Sequence, residues 1–205
     1  MSEITAKELC RVRLRFLDLL KSFFAQEPDA EKMGRWRGIF SALAREQISP
    51  SIDRAVKDCS LLLNTKRLQD LQEEYYRLFS DPFGATKVHM TTSYYLNGHT
   101  YGQTLVSLRS FLAEARLVKD PGVKESEDTL VVMLDILFSL VEEEKEMGSP
   151  QTRAFQVRLL EEFLTPFGRT FNIAMEANGN ADFYCACSRF LWAYLGLEKD
   201  LIAEN

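Results

Sequence analysis

The sequence predicts an all-α protein. Three observations carry that reading: apolar residues recur at three-to-four spacing along most of the chain, no alternating stretch of useful strand length occurs, and β-branched residues are sparse. Proline and glycine divide the pattern into helices at Pro28, Pro50, Pro82-Phe83-Gly84, Pro121-Gly122, Gly148-Ser149-Pro150 and Asn178-Gly179-Asn180. The 205 residues, 46% hydrophobic and 27% charged, suit one domain with a substantial core. The absence of a short internal repeat argues against a helical solenoid.

Thr5-Ala6-Lys7-Glu8 reads as a capping box, in which the two side chains satisfy orphan N–H groups at a helix start. The first helix then presents Leu9, Val12, Phe16, Leu19, Leu20 and Phe23 as one stripe, while Arg11, Arg13 and Arg15 read as a solvated face beside Glu8 and Asp18. A second helix starts after Asp29 with Met33, Trp36, Ile39, Phe40 and Leu43 on one side. Ser49-Pro50 starts a third, because proline is tolerated in the first turn. Its stripe runs Ile52, Val56, Cys59, Leu62, Leu63 and, past a kink or break at Asn64-Thr65-Lys66, continues through Leu68, Leu71, Tyr75 and Leu78.

Pro82 and Gly84 stop that helix. A loop of roughly fifteen residues follows, longer and more aromatic than a simple connection needs, and it reads as a recognition surface carrying Met90, Tyr94, Tyr95 and Tyr101. Thr100-Tyr101-Gly102-Gln103 reads as a second capping box, launching Leu105, Leu108, Phe111 and Leu112. The turn Lys119-Asp120-Pro121-Gly122 makes the segment 119–125 the candidate hinge between N-terminal and C-terminal halves of a single domain over 1–205. Ser126 is a cap for the next helix, with Leu130, Met133, Leu134, Leu137, Leu140 and Val141 inward and Glu142-Glu143-Glu144 running into solvent. A helix with Phe155, Leu159, Leu160 and Phe163 follows. Thr165-Pro166 then caps another with Phe167, Phe171, Ile173 and Met175, and Phe183, Tyr184, Cys187, Phe190, Leu191, Tyr194 and Leu195 mark the last.

The net charge of −5, without a basic stripe, argues against a general nucleic-acid binder. The opening MSEITAKEL is acidic and polar, with no apolar region after a basic start, so no leader is expected. The run Leu130–Leu134 is interrupted by Asp135, so no membrane span is expected either. Four cysteines, two as Cys185-x-Cys187, make no disulfide framework and suit reduced thiols in the cytoplasm. His89 and His99 match no common zinc spacing, no glycine-rich phosphate loop occurs, and Ser93 lacks a nucleophile context. The expectation is a protein with no catalytic residue, no metal and no cofactor; a small helical hydrolase is a distant third reading.

Tyr75-x-x-Leu78-Phe79, the Pro/Gly loop and Ser93-Tyr94-Tyr95-Leu96 resemble the aromatic-x-x-Leu-Phe and Ser-x-Tyr-Leu signatures of the TorD/DmsD-type maturation chaperones. Glu125-Ser126-Glu127-Asp128-Thr129 resembles that family's Glu-Pro-x-Asp-His motif, with Ser126 and Thr129 in place of Pro and His. The resemblance implies a bundle of roughly nine to twelve helices. It also implies a cytoplasmic chaperone that binds the twin-arginine signal peptide, the apo form of a molybdopterin oxidoreductase, or both, supporting cofactor insertion before export. The alternative client is a non-exported nitrate-reductase-type catalytic subunit. The implied client-binding residues are Tyr75, Leu78, Phe79, Ser93, Tyr94, Tyr95, Glu125 and Asp128. Leu78 and Phe79 suit a core equally well, and Glu125 and Asp128 suit the first turn of a helix, where carboxylates meet free N–H groups. The family implies a monomer or a domain-exchanged dimer, with Lys119–Lys124 as the place of exchange.

Overall fold

The computed structural model describes residues 5–85 and 87–203; Met1–Ile4, part of the opening read as leaderless, and Thr86 in the aromatic loop lie outside them. The fold is all-α. Ten α-helices run in order: α1 Ala6–Phe24, α2 Ala30–Leu43, α3 Pro50–Thr65, α4 Leu68–Tyr75, α5 Thr92–Asn97, α6 Gln103–Glu114, α7 Leu130–Met147, α8 Pro150–Leu159, α9 Thr165–Glu176 and α10 Phe183–Ala203. Two π-helical segments, Tyr76–Ser80 and Leu160–Leu164, continue α4 and join α8 to α9. The described residues therefore make nine continuous helical rods. Their only departure toward sheet is an isolated antiparallel bridge between Thr91 and Thr129.

Several helix ends follow from local chemistry. Thr5 and Glu8 form the expected box: the Thr5 N–H and hydroxyl donate to Glu8 Oε2 at 2.9 and 2.8 Å, and the Glu8 N–H donates back to Thr5 Oγ1. Asp29 accepts from Lys32 N–H, and Ser49 accepts from Ile52 N–H ahead of Pro50. Gly148 closes α7 at φ 61°, a left-handed cap that costs glycine nothing.

Three boundaries differ from expectation. α6 starts after Gly102, and its cap comes from outside the Thr100–Gln103 box: Asn97 Oδ1 accepts from Thr104 N–H at 2.9 Å. α7 starts at Leu130, so Ser126 caps nothing there and bonds Asp128 instead. Thr165-Pro166 opens no new rod, because the wide turn at Leu160–Leu164 carries the helix past a proline that lacks an N–H.

The chain divides into two compact units, one of residues 1–21, 90–167 and 198–205, the other of 22–89 and 168–197. The segment 119–125 lies inside the first. The core of the first unit includes Phe16, Leu17, Leu105, Leu108, Met133, Leu137 and Leu159, with Phe111 packed edge-on to Phe155 and tilted against Phe163. The second is built on aromatic rings: Phe23 meets Trp36, Phe40, Phe183 and Phe190, and Trp36 donates its indole N–H to Ser22 Oγ.

Arg13 and Glu144 overturn their solvated reading. Arg13 is buried, with Nε donating to both Glu198 oxygens at 2.9 and 3.0 Å and Nη1 to Glu144 at 2.8 Å. Gln156 and Arg153 complete the shell around Glu144. Val12, placed on the apolar stripe, is instead 44% exposed, because the inward face of α1 there runs through Arg13, Phe16, Leu17 and Leu20. A buried guanidinium is tolerated only with such full pairing.

Candidate functional site

The expected client-binding residues fall in both units. Tyr75, Leu78 and Phe79 lie in the second, and all three are buried. Tyr75 and Phe79 stack edge-on at 5.1 Å, each also meets the Tyr184 ring, and the Tyr75 hydroxyl donates to the Phe24 carbonyl at 3.2 Å. Burial, with a smaller push from Glu27, raises the Tyr75 hydroxyl to about 12.

The π turn explains the backbone beneath this trio. In a regular helix the Leu78 carbonyl awaits the N–H of residue 82, which is Pro82 and has none. The chain widens instead: Asp81 N–H donates to the Tyr76 carbonyl, and Leu78 accepts from Val88 N–H at 2.8 Å. Pro82 thus frees a carbonyl that ties the returning loop to the helix end.

Ser93, Tyr94, Tyr95, Glu125 and Asp128 lie in the first unit. The aromatic loop is not wholly irregular; it contains α5, anchored at its start by residues 128–130. Thr92 N–H donates to the Asp128 carbonyl and Leu130 N–H to the Met90 carbonyl, both at 2.8 Å, flanking the Thr91–Thr129 bridge. The fully buried Asp128 carboxylate accepts from Ser93 N–H at 2.9 Å and from Ser126 Oγ at 2.6 Å. Asp128 therefore caps α5 and not α7, as its place in sequence suggested. Thr129 Oγ1 donates to the Ser126 carbonyl at 2.9 Å and closes the turn. The Ser93 hydroxyl is buried without a partner among the described residues.

Past the buried Thr92 and Ser93, α5 leaves part of its surface exposed. Tyr94 is 37% and Leu96 39% exposed, while Tyr95 is half-buried and packs on Phe167. Glu125 is exposed, its backbone carbonyl held by Lys119 Nζ. Glu127 pairs with Arg109 at 3.0 Å; burial raises its carboxyl, but the bonds and charge of Arg109 hold it below the usual carboxylate value. The support that sequence reasoning missed is Asn97, whose cap on α6 depends on Gly102: a Cβ there would collide with the Asn97 side chain. An Asn seven residues before a helix N–H matches no local capping pattern, so nothing in the sequence pointed to it.

The thiols of Cys10, Cys59, Cys185 and Cys187 are free and buried, and burial raises those of Cys10, Cys185 and Cys187, away from the reactive thiolate. Burial, aided by Lys87, lowers His89. Among the described residues no group of His, Cys, Asp and Glu could hold a metal, and no helix is long and apolar enough to cross a membrane. In the first unit a short helix is fixed at its start by a buried carboxylate and leaves Tyr94 and Leu96 partly exposed; Glu125, three residues before that carboxylate in sequence, is exposed as well.

No curated protein matches the chain. A family model described as nitrate reductase delta subunit matches residues 44–172, a span that contains all eight of the expected client-binding residues. The chain belongs to the nitrate reductase delta subunit family, of TorD-type chaperones for the maturation of molybdenum-containing oxidoreductases.

Proposed function

We propose that this protein binds the twin-arginine signal peptide, the apo form of a molybdopterin oxidoreductase, or both, in the cytoplasm, holding the client until its cofactor is inserted. The mechanism is binding and release, with no covalent step. The observation that carries the reading is the anchored α5 helix. Its buried Asp128 cap removes the helix start from competition with solvent, and Tyr94, packed edge-on to Tyr95, and Leu96 keep part of their surface exposed. Tyrosine suits such a rim, since a large ring ends in a hydroxyl that stays wet. Glu125 supplies a carboxylate for the arginines that flank such a segment, through charge-assisted bonds. Tyr94, Tyr95 and Glu125 are the contacting residues in this reading. Ser93 and Asp128 position them, and Tyr75, Leu78 and Phe79 support the Pro82 loop.

Titration calorimetry of the purified protein against a synthetic twin-arginine signal peptide tests the proposal. Binding weakened by Tyr94→Ala and by Glu125→Gln is expected; equal binding by both variants contradicts these contacts. A second reading has a non-exported nitrate-reductase-type catalytic subunit as client. The family match, described as nitrate reductase delta subunit, favours it. A leaderless apo-subunit that binds while the signal peptide does not supports this version. Exchange of helices through the segment 119–125 extends either reading to a dimer, and light scattering that finds a monomer at every concentration removes it.

A further inference from the structure

The connection between α5 and α6 carries a side chain that the fold does not use. Tyr101 adopts φ 60°, in the left-handed region that bulky L-residues rarely enter. The path is imposed by its surroundings. Asn97 caps Thr104 N–H, and Gly102 is pressed against Asn97 too closely for any Cβ. A turn of this kind accepts Gly or Asn without strain. The chain places a tyrosine there, and the residue is 75% exposed, so packing does little to offset the strained backbone.

Arg116 gives an internal comparison in the same unit. It too is at positive φ, 56°, but there the conformation closes the end of α6, with Leu117 N–H donating to the Leu112 carbonyl at 2.9 Å. Its exposed side chain has no aromatic surface to offer.

We propose that Tyr101 is a client-contact residue, an aromatic anchor held outward by a backbone turn that the Asn97–Gly102 contact enforces. This rests on the chaperone reading above and adds to it a residue outside the motifs that suggested that reading. The partner it fits is an apolar polypeptide segment, taken up by an exposed ring that carries a hydrogen-bonding hydroxyl.

The test uses the full chain with Tyr101→Gly, Tyr101→Ala and Arg116→Gly, and two probes: a synthetic twin-arginine signal peptide and a leaderless apo catalytic subunit of the nitrate reductase type. Tyr101→Gly is expected to melt no lower than wild type and about 1–4 °C above Tyr101→Ala, since glycine relieves the strain and the ring lends no packing. The same variant is expected to lose roughly tenfold in affinity for whichever probe wild type binds, with Arg116→Gly unchanged. Wild-type affinity in Tyr101→Gly overturns the proposal, as does a melting temperature well below wild type, which makes the ring a structural element. If wild type binds neither probe, the chaperone reading fails and takes this inference with it. If it binds one and Tyr101→Gly binds equally, only the inference fails.

Discussion

Asp128 separates two roles that a motif acidic residue can have, client contact and internal support, and a pair of substitutions tells them apart. Asp128→Ala leaves the buried Ser93 N–H without an acceptor, a loss of about 1–3 kcal/mol for an orphaned buried donor. Ser126 Oγ loses its acceptor too, but that residue is half-buried and can turn to water, adding about 1 kcal/mol. The sum is about 3 kcal/mol, or roughly 6–12 °C in Tm for a chain of this size. Asp128→Asn keeps an oxygen for Ser93 N–H, and the Ser126 hydroxyl can rotate to accept from the new amide. Only charge assistance is lost, about 1 kcal/mol and roughly 2–4 °C. Thermal unfolding by circular dichroism reads both values, and hydrogen exchange at the Ser93 amide reports the local opening. If Asp128 is support, Asp128→Asn retains most client affinity. Equal Tm losses in the two variants, or an unchanged Tm in Asp128→Ala, refute the reasoning.

Arg13→Ala takes the guanidinium from the fully buried Glu198, and Glu144 keeps Arg153 and Gln156; the loss is expected to destabilise by about 3–5 kcal/mol, Arg13→Met together with Glu198→Leu recovers much of this, and chemical denaturation measures both. Glu144 and Glu74 give opposite pH slopes. At Glu144 burial raises the carboxyl, but the bonds from Arg153 and Gln156 and the guanidinium of Arg13 outweigh it and leave it lowered. Its stabilisation is present above the ordinary carboxylate value and lost as pH falls through the depressed folded value, a slope that Glu144→Gln removes. Glu74 accepts from the backbone N–H groups of Asp182, Phe183 and Tyr184 at the start of α10, yet burial dominates and raises it. Its contribution is full below the ordinary carboxylate value and declines as pH rises through the raised folded value, which Glu74→Gln flattens in the same Tm-versus-pH series. Tyr75→Phe removes one hydrogen bond to the Phe24 carbonyl, and is expected to lower stability by about 1 kcal/mol while leaving client affinity unchanged in calorimetry.

The helices and their local ends were legible because their signals are short-range. Thr5 with Glu8, Asp29 with Lys32 and Ser49 before Pro50 each settle a helix start within four residues. The break at Asn64-Thr65-Lys66 falls where α3 gives way to α4. What escaped the sequence is long-range. Arg13 looks like a surface cation until Glu144 and Glu198, 131 and 185 residues away, are folded against it. Asp128 looks like a cap for the helix that follows it, because nothing local announces that Ser93 N–H, 35 residues earlier, takes its carboxylate. The π turns escaped for a different reason: three-to-four spacing persists across Tyr75, Leu78 and Phe79, and a single widened turn barely shifts it. The motifs that suggested the family drew eight residues together as one set, and the fold sorts them into buried Tyr75, Leu78, Phe79, Ser93 and Asp128 and more exposed Tyr94, Tyr95 and Glu125.

The most direct measurement is a calorimetric titration of the purified protein with the apo catalytic subunit of a molybdenum-containing oxidoreductase, with and without its signal segment, repeated after cofactor insertion. The predicted result is saturable binding to an apo form, weakened by the paired substitution Tyr94→Ala and Glu125→Gln, and lost once the cofactor is in place. Binding that is indifferent to cofactor and to both substitutions, or no binding to either apo form, contradicts a chaperone that works through the anchored α5 surface.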